Sequence, residues 1–266
     1  MTTPSAPRDP ELRFAEGPGG PFAYTDEGRG PVIVAVHGLP GSARDYRWLG
    51  AALPDTVRFV RLDLPGFGGT PVSSGPRPEI DARGSFVVSA LAALGLGRCL
   101  LVGHSMGGAV ALSAAVQAPE RVAALGLLAS IGLRPHRLLR RFVGRHAFAR
   151  AVDLPLVQVP ALKLLKAMFR AAGFPSQTRE AEVAHTLRCV AAVDFETQAR
   201  NTARLKVPAL SAWAEDDAFI ERAVFEEHAA ALPPGPRLSW PTGGHNIQKS
   251  QAVELAAALV SLAPSG

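Results

Sequence analysis

The stretch "LVGHSMGGAV", residues 101–110, passes from one apolar segment to another through a short polar turn. "RCLLVGHS" (98–105) reads as a buried strand and "MGGAVALSAAVQA" (106–118) as a helix of small residues. Ser105 stands at the junction, with Gly103 two residues before it and Gly107 two after. A hydroxyl on such a sharp strand-to-helix turn is held clear of the sheet. The crowded backbone around it leaves room only for positions that are nearly free of side chains. The helix that follows aims its first N–H groups at the same spot, ready for a developing negative charge.

Outward from this turn the chain alternates. "PVIVAVHG" (31–38), "VRFVRLDLPGFGGT" (57–70, a strand entering a Pro/Gly loop), "RVAALGLLAS" (121–130), "VPALSAWAE" (207–215) and "PRLSWPT" (236–242) read as further strands. Segments 41–53, 84–96, 221–232 and 251–262 have helical spacing, and the region before residue 31 has material for one or two antiparallel strands. Apolar strands alternating with helices predict an α/β fold: a doubly wound, mostly parallel sheet covered on both faces. Residues 132–204 break the rhythm. They are helix-like, basic and interrupted by prolines. The expected organisation is a core of residues 1–131 and 205–266, its first ten or so residues disordered, carrying a helical cap or lid at 132–204.

Ligands of such sheets bind at the carboxyl ends of the strands. Those ends carry His37-Gly38, Asp63, Ser105, Ser130, Glu215 to Asp217 and His245. A nucleophile, an acid and a base thus arise on separate strands and converge on one edge.

These segments resemble one family in order. "GHSMG" matches the G-x-S-x-G nucleophile elbow of the α/β-hydrolases. "VHGLPGS" (36–42) resembles their oxyanion loop, "LDLPGFGGT" (62–70) their second strand-end loop, "AWAEDDAFI" (212–220) their acid loop and "GGHN" (243–246) their histidine loop. The resemblance covers about residues 31 to 262 apart from the insert. It implies a serine-nucleophile branch with a lid, and a triad of Ser105, Asp217 and His245. The backbone N–H groups of Leu39 and Met106 would form the oxyanion hole, with Gly38, Gly103, Gly107 and His37 in support.

Plainer readings stand beside these. Ser105 could simply cap its helix. His228 competes with His245 but lies in the acidic helix "FEEHAAAL", where a solvated histidine is the simplest account. His104 is expected to point away from substrate, and His37 to brace the oxyanion loop. In the acid loop, alanines replace the family's glycine and proline at 214 and 218, so Asp216 remains the alternative to Asp217. Some relatives carry the acid after the preceding strand, where this chain has no carboxylate before Asp153. Asp63 is expected to tie its loop through backbone hydrogen bonds.

The implied chemistry is acyl transfer. His245 takes the Ser105 proton, Asp217 holds the imidazole tautomer, and water releases the acyl-enzyme. The resulting expectation is a serine hydrolase cleaving a carboxylic ester, thioester or lactone of a small to medium, partly apolar molecule. C–C bond hydrolysis and cofactor-free perhydrolysis are alternatives, and a hydrolase-fold ligand sensor is the non-enzymatic one. Relatives that displace halide or open epoxides use an aspartate nucleophile, which residue 105 is not. No metal or organic cofactor is expected.

Composition sets the remaining bounds. Apolar residues make up 47% of the 266, enough for one sizeable core. No apolar run is long enough to span a membrane, and "MTTPSAPRDPELRF" lacks the pattern of a secretory signal. Cys99 and Cys189 lack ligand-like spacing, so free thiols in a reducing cytoplasm are expected. The net charge is +5, yet residues 132–206 hold +9 and the remainder −4. This segment has no aromatic-basic pattern, so nucleic acid is not an expected partner. Leu138, Leu139, Phe142, Val143 and Ala147, then Leu162, Leu165, Met168 and Phe169, place apolar faces on the insert. The plain reading is a lid packed on the core and lining the pocket. The sharper one is a basic surface that touches anionic membranes weakly or steers acidic substrates. Composition leaves the oligomeric state open.

Overall fold

The computed structural model describes residues 7–75, 77–141 and 179–264, together with 159–160, 162–164 and 166–167. An eight-stranded sheet with the order β1-β2-β4-β3-β5-β6-β7-β8 forms the centre. The strands are β1 Arg13–Gly17, β2 Gly20–Glu27, β3 Val32–Val36, β4 Arg58–Leu62, β5 Cys99–His104, β6 Val122–Leu128, β7 Ala209–Ala214 and β8 Arg237–Trp240. The first two form an antiparallel hairpin that joins β4 antiparallel. The other pairs are parallel. Strands β3 and β5 are central and read as unbroken apolar runs, because helices cover both faces.

Register aligns the carboxyl ends. Val36 sits opposite Leu62 on one side and Gly103 on the other, Leu128 opposite Ala212, and Ala214 opposite Trp240. The loops leaving β3, β4, β5, β7 and β8 therefore emerge on one edge.

The covering helices include α1 Arg47–Ala52, α2 Ile80–Ala93 and α3 Met106–Gln117. Segment 41–53 is not one helix. Ala43–Tyr46 forms a tighter turn before α1, opened by a reciprocal cap between Ser42 and Asp45. Helix α2 begins four residues before the expected start at 84. Asp81 in its first turn accepts from Ser113 Oγ and Asn201 Nδ2, both at 2.7 Å, and these tertiary bonds order the early turn.

Within the insert, α4 covers Arg137–Arg141, α5 Glu180–Ala191 and α6 Phe195–Arg204. Leu139 and Leu162 are buried. Phe142, Val143, Ala147, Asp153, Leu165, Met168 and Phe169 lie outside the described residues. The chain closes through α7 Arg222–Ala231, α8 Ile247–Ser250 and α9 Ala252–Leu262. His228 is not solvated as its acidic neighbours suggested. It shares the inner face of α7 with Val224 and Phe225, is 2% exposed, and lies with Nε2 3.1 Å from Thr202 Oγ1.

Helix α3 is buried from Met106 through Ala115, and its small residues let it lie against the sheet. A Cβ on Gly107 would fall inside van der Waals contact of the Val36 and His37 carbonyl oxygens, and one on Gly103 would strike the Gly107 backbone. Gly107→Ala is therefore expected to cost about 1–3 kcal/mol, the usual penalty of overpacking. Gly97→Ala, at a site with open space, is expected to stay within about 0.5 kcal/mol of wild type. Urea unfolding of both variants checks the ranking.

Candidate active site

Ser105 follows β5 with φ 55° and ψ −123°, a conformation that L-residues rarely adopt. Hydrogen bonds hold it there. Its N–H donates to Leu128 O at 2.9 Å, and its carbonyl accepts from Gly108 N at 3.0 Å and Ile131 N at 3.3 Å. The side chain makes no capping bond to α3. Instead, Ser105 Oγ lies 2.9 Å from His245 Nε2.

His245 stands in the loop between β8 and α8, after Gly243 and Gly244, both at positive φ. Its Nδ1 is 2.7 Å from Asp217 Oδ2. Asp217 Oδ1 accepts from the N–H groups of Phe219 at 2.7 Å and Ile220 at 3.0 Å. Burial pushes the Asp217 carboxyl up. The hydrogen bond and charge of His245 and the two amides outweigh it, and its pKa ends below the ordinary value. An ionised Asp217 requires a proton on Nδ1, which leaves Nε2 free to accept from the serine hydroxyl. Asp216, the other candidate acid, accepts only from Gly244 N–H among the described residues, at 2.7 Å. Glu215 pairs with Arg222.

Two other histidines lock the surrounding loops. His37 Nδ1 donates to Gly38 O at 2.6 Å, and its Nε2 accepts from Leu64 N–H at 2.9 Å, so the loops after β3 and β4 are tied together. Asp63 adds to this by accepting from Ala43 N at 2.7 Å and Gly69 N at 2.8 Å. His104 Nε2 lies 2.9 Å from the His245 carbonyl oxygen and donates to it. Burial and the neighbouring His245 push the His104 pKa down to about 3, so the ring is neutral.

Ser105 and His245 open onto a cleft of about 330 Å³, while the Asp217 side chain is fully buried. Gly38, Leu39 and Pro40 line one wall and Phe219, Gly244 and Asn246 another. The backbone N–H groups of Leu39 and Met106, the latter at the first position of α3, meet no acceptor among the described residues. His104, expected to point away, contributes to the wall instead. Its ring is anchored on the His245 carbonyl, which draws it to the cleft side. Asp45, not singled out in the sequence, also lines the cleft. Its position three residues after Ser42 was the available signal, because that spacing makes a reciprocal cap.

The insert reaches the site through its first turn. Leu138 lines the cleft, and its N–H donates to Phe219 O at 3.0 Å. Arg137 N–H donates to Glu221 Oε2 at 2.7 Å, and Arg140 pairs with the same carboxylate. The Arg137 guanidinium adds contacts to the Asp217 and Ala218 carbonyl oxygens at 3.5 and 3.4 Å, so both residues bind the acid loop. Among the described residues, no cluster of three His, Cys, Asp or Glu side chains is arranged to hold a metal. No described helix is long and apolar enough to cross a membrane. Cys99 and Cys189 are free and buried.

Known proteins share this architecture. The profile of the alpha/beta hydrolase fold matches residues 31–251. The chain is 32% identical over 246 residues to the dihydrolipoyllysine-residue acetyltransferase component of an acetoin cleaving system from Pseudomonas putida. That alignment covers 88% of this chain and 63% of the relative, so the chain spans less than two thirds of that protein. It is 29% identical over 273 residues to haloalkane dehalogenase 2 of Mycobacterium bovis, covering 94% of each. Among solved structures, a thermophilic esterase from Thermogutta terrifontis superposes with a TM-score of 0.73 at 20% identity, covering 94% of this chain and 97% of that one.

The buried histidines predict an acid-sensitive fold. Burial lowers the pKa of His37, and it pushes His104 to about 3 and His136, His185 and His228 to about 4. Between about pH 6.5, where an unfolded histidine titrates, and about pH 4, the unfolded chain binds more protons, so stability falls as pH falls. Asp45 opposes this, since burial raises its pKa to about 6, but it is one group against five. The urea midpoint should drop between pH 7.5 and pH 5. An unchanged or higher midpoint at pH 5 would contradict the assignment of these rings as buried and neutral.

Proposed function

Because the chain belongs to the alpha/beta hydrolase fold family, we propose that it is a serine hydrolase acting on carboxylic esters, with an acyl-enzyme formed on Ser105. The observation that carries this reading is the unbroken relay Asp217–His245–Ser105, with spacings of 2.7 and 2.9 Å. Ser105 Oγ attacks the ester carbonyl carbon as His245 Nε2 takes its proton. Asp217 steadies the imidazolium. The Leu39 and Met106 amides receive the oxyanion, and one such donor is worth about 3 kcal/mol in comparable enzymes. Collapse expels the alcohol, which takes the proton back from His245, and a water repeats the sequence to free the acid.

The nucleophile also separates this reading from the activity named for the mycobacterial relative. Displacing a halide with serine would leave a dialkyl ether, which the same machinery has no means to hydrolyse. The carbonyl of an ester gives an intermediate that water can resolve. In this reading residues 132–204 form a cap whose first turn, through Leu138, shapes the substrate end of the cleft. The two free thiols fit a reducing compartment such as the cytoplasm.

A panel of short acyl esters and a 1-haloalkane tests the assignment. Wild type should turn over esters and leave the haloalkane untouched. Ser105→Ala should lower kcat by about 10⁶. Asp217→Asn should lower it by about 10⁴. Asp216→Asn keeps an acceptor for Gly244 and should cost far less. Haloalkane turnover, or Asp216→Asn falling as far as Asp217→Asn, would overturn these roles.

A further inference from the structure

The cleft wall holds polar groups that the triad does not use, and apart from the Asn246 amide their side chains are acceptors. His104 is 4% exposed, and its Nδ1 has no hydrogen-bond partner among the described residues. Its Nε2 proton is committed to the His245 carbonyl, so Nδ1 can only accept. This nitrogen sits at the corner between Gly38 and Ser105, where a Cβ on Gly38 would lie 3.0 Å from it and 3.0 Å from Ser105 Cβ. Asp45 offers a carboxylate whose one hydrogen bond among the described residues is from the Ser42 N–H, at 3.2 Å. Asp216 offers another, with Oδ1 on Gly244 and Oδ2 without a donor among the described residues. No lysine or arginine stands among the described residues that line the cleft. Arg47 and Arg44 act on Asp45 from its own turn and from α1, but neither borders the cavity.

A buried acceptor without a donor and two carboxylates in one cavity of about 330 Å³ complement a ligand that brings both N–H donors and positive charge. The position of the charge follows from the chemistry. His245 Nε2 must return its proton to the leaving oxygen, so the alcohol departs past His245. Asp216, Gly244 and Asn246 flank that residue on the cleft wall. We propose that the preferred substrates are esters whose alcohol carries a protonated amine, held by Asp216 and Asp45 with His104 Nδ1 as the further acceptor. This rests on the ester-hydrolase reading above and adds its substrate class. It also runs against the acidic-substrate reading of the basic insert, since the described Arg137 and Arg140 contact the acid loop and neither lines the cleft.

The test uses three butanoate esters of matched shape: 2-(dimethylamino)ethyl, 3-methylbutyl and 2-carboxyethyl. Wild type should favour the ammonium ester over the neutral one, and the neutral one over the carboxylate, in kcat/KM. Because the cationic alcohol is intrinsically a better leaving group, the decisive quantity is the change on mutation. In Asp45→Asn/Asp216→Asn, which keeps an acceptor for both backbone N–H groups, the ammonium-to-neutral ratio should fall by about tenfold or more, mainly through KM. An unchanged ratio, or a wild-type preference for the carboxylate, would overturn the proposal. If wild type hydrolyses none of the three, the ester reading itself fails. Calorimetric binding of 2-(dimethylamino)ethanol against 3-methylbutanol then decides the cleft's charge preference. Tighter binding of the amine, lost in the double variant, supports it, and equal binding refutes it.

Discussion

The turn at Ser105 is the constraint on which the remaining geometry depends. Its φ of 55° is strained for a residue with a side chain, so it persists only because the surroundings over-determine it. Three backbone hydrogen bonds fix its N–H and carbonyl. Gly103 and Gly107 allow α3 to press against β5 and the end of β3. That close approach brings the first amide of α3 and the loop after β3 to either side of the hydroxyl. A side chain at either glycine would push the helix away, and with it one of the two amides that the proposed chemistry needs.

The same economy of contacts governs the other two members of the relay. Asp217 is held by two amides of its own loop as well as by His245. His104 holds His245 by a hydrogen bond to its carbonyl, and although the two rings lie 4.9 Å apart, neither ring nitrogen of His245 is taken by His104. The ring therefore keeps its freedom to exchange a proton while its backbone is fixed. The first turn of the insert closes the arrangement by bonding to Phe219 and Glu221. Any movement of that turn is thereby coupled to the acid loop, and so to the base.

Much of this was legible in the chain. The alternation of strands and helices, the small-residue helix and the glycines flanking Ser105 are local patterns, and local patterns survive without knowledge of the fold. Asp217 required a register choice among adjacent carboxylates, which the loop's departures from the family pattern had loosened. What was not legible depends on residues far apart in sequence. The early start of α2 rests on Asp81 meeting Asn201, and the burial of His228 on Thr202. His104 could not be seen to support His245, because the contact spans 141 positions. Among the insert's arginines, Arg140 meets Glu221, a partner that only the folded chain supplies.

The proposed chemistry stands or falls on a covalent acyl intermediate at Ser105. It is tested by rapid mixing of the protein with an activated ester, acid quenching within the first turnover, and mass mapping of the digested peptides. The expected result is a burst of released alcohol close to one equivalent of protein, with one acyl group on the peptide that contains Ser105. Steady turnover with no acylated peptide, or an acyl group carried by another residue, would contradict it.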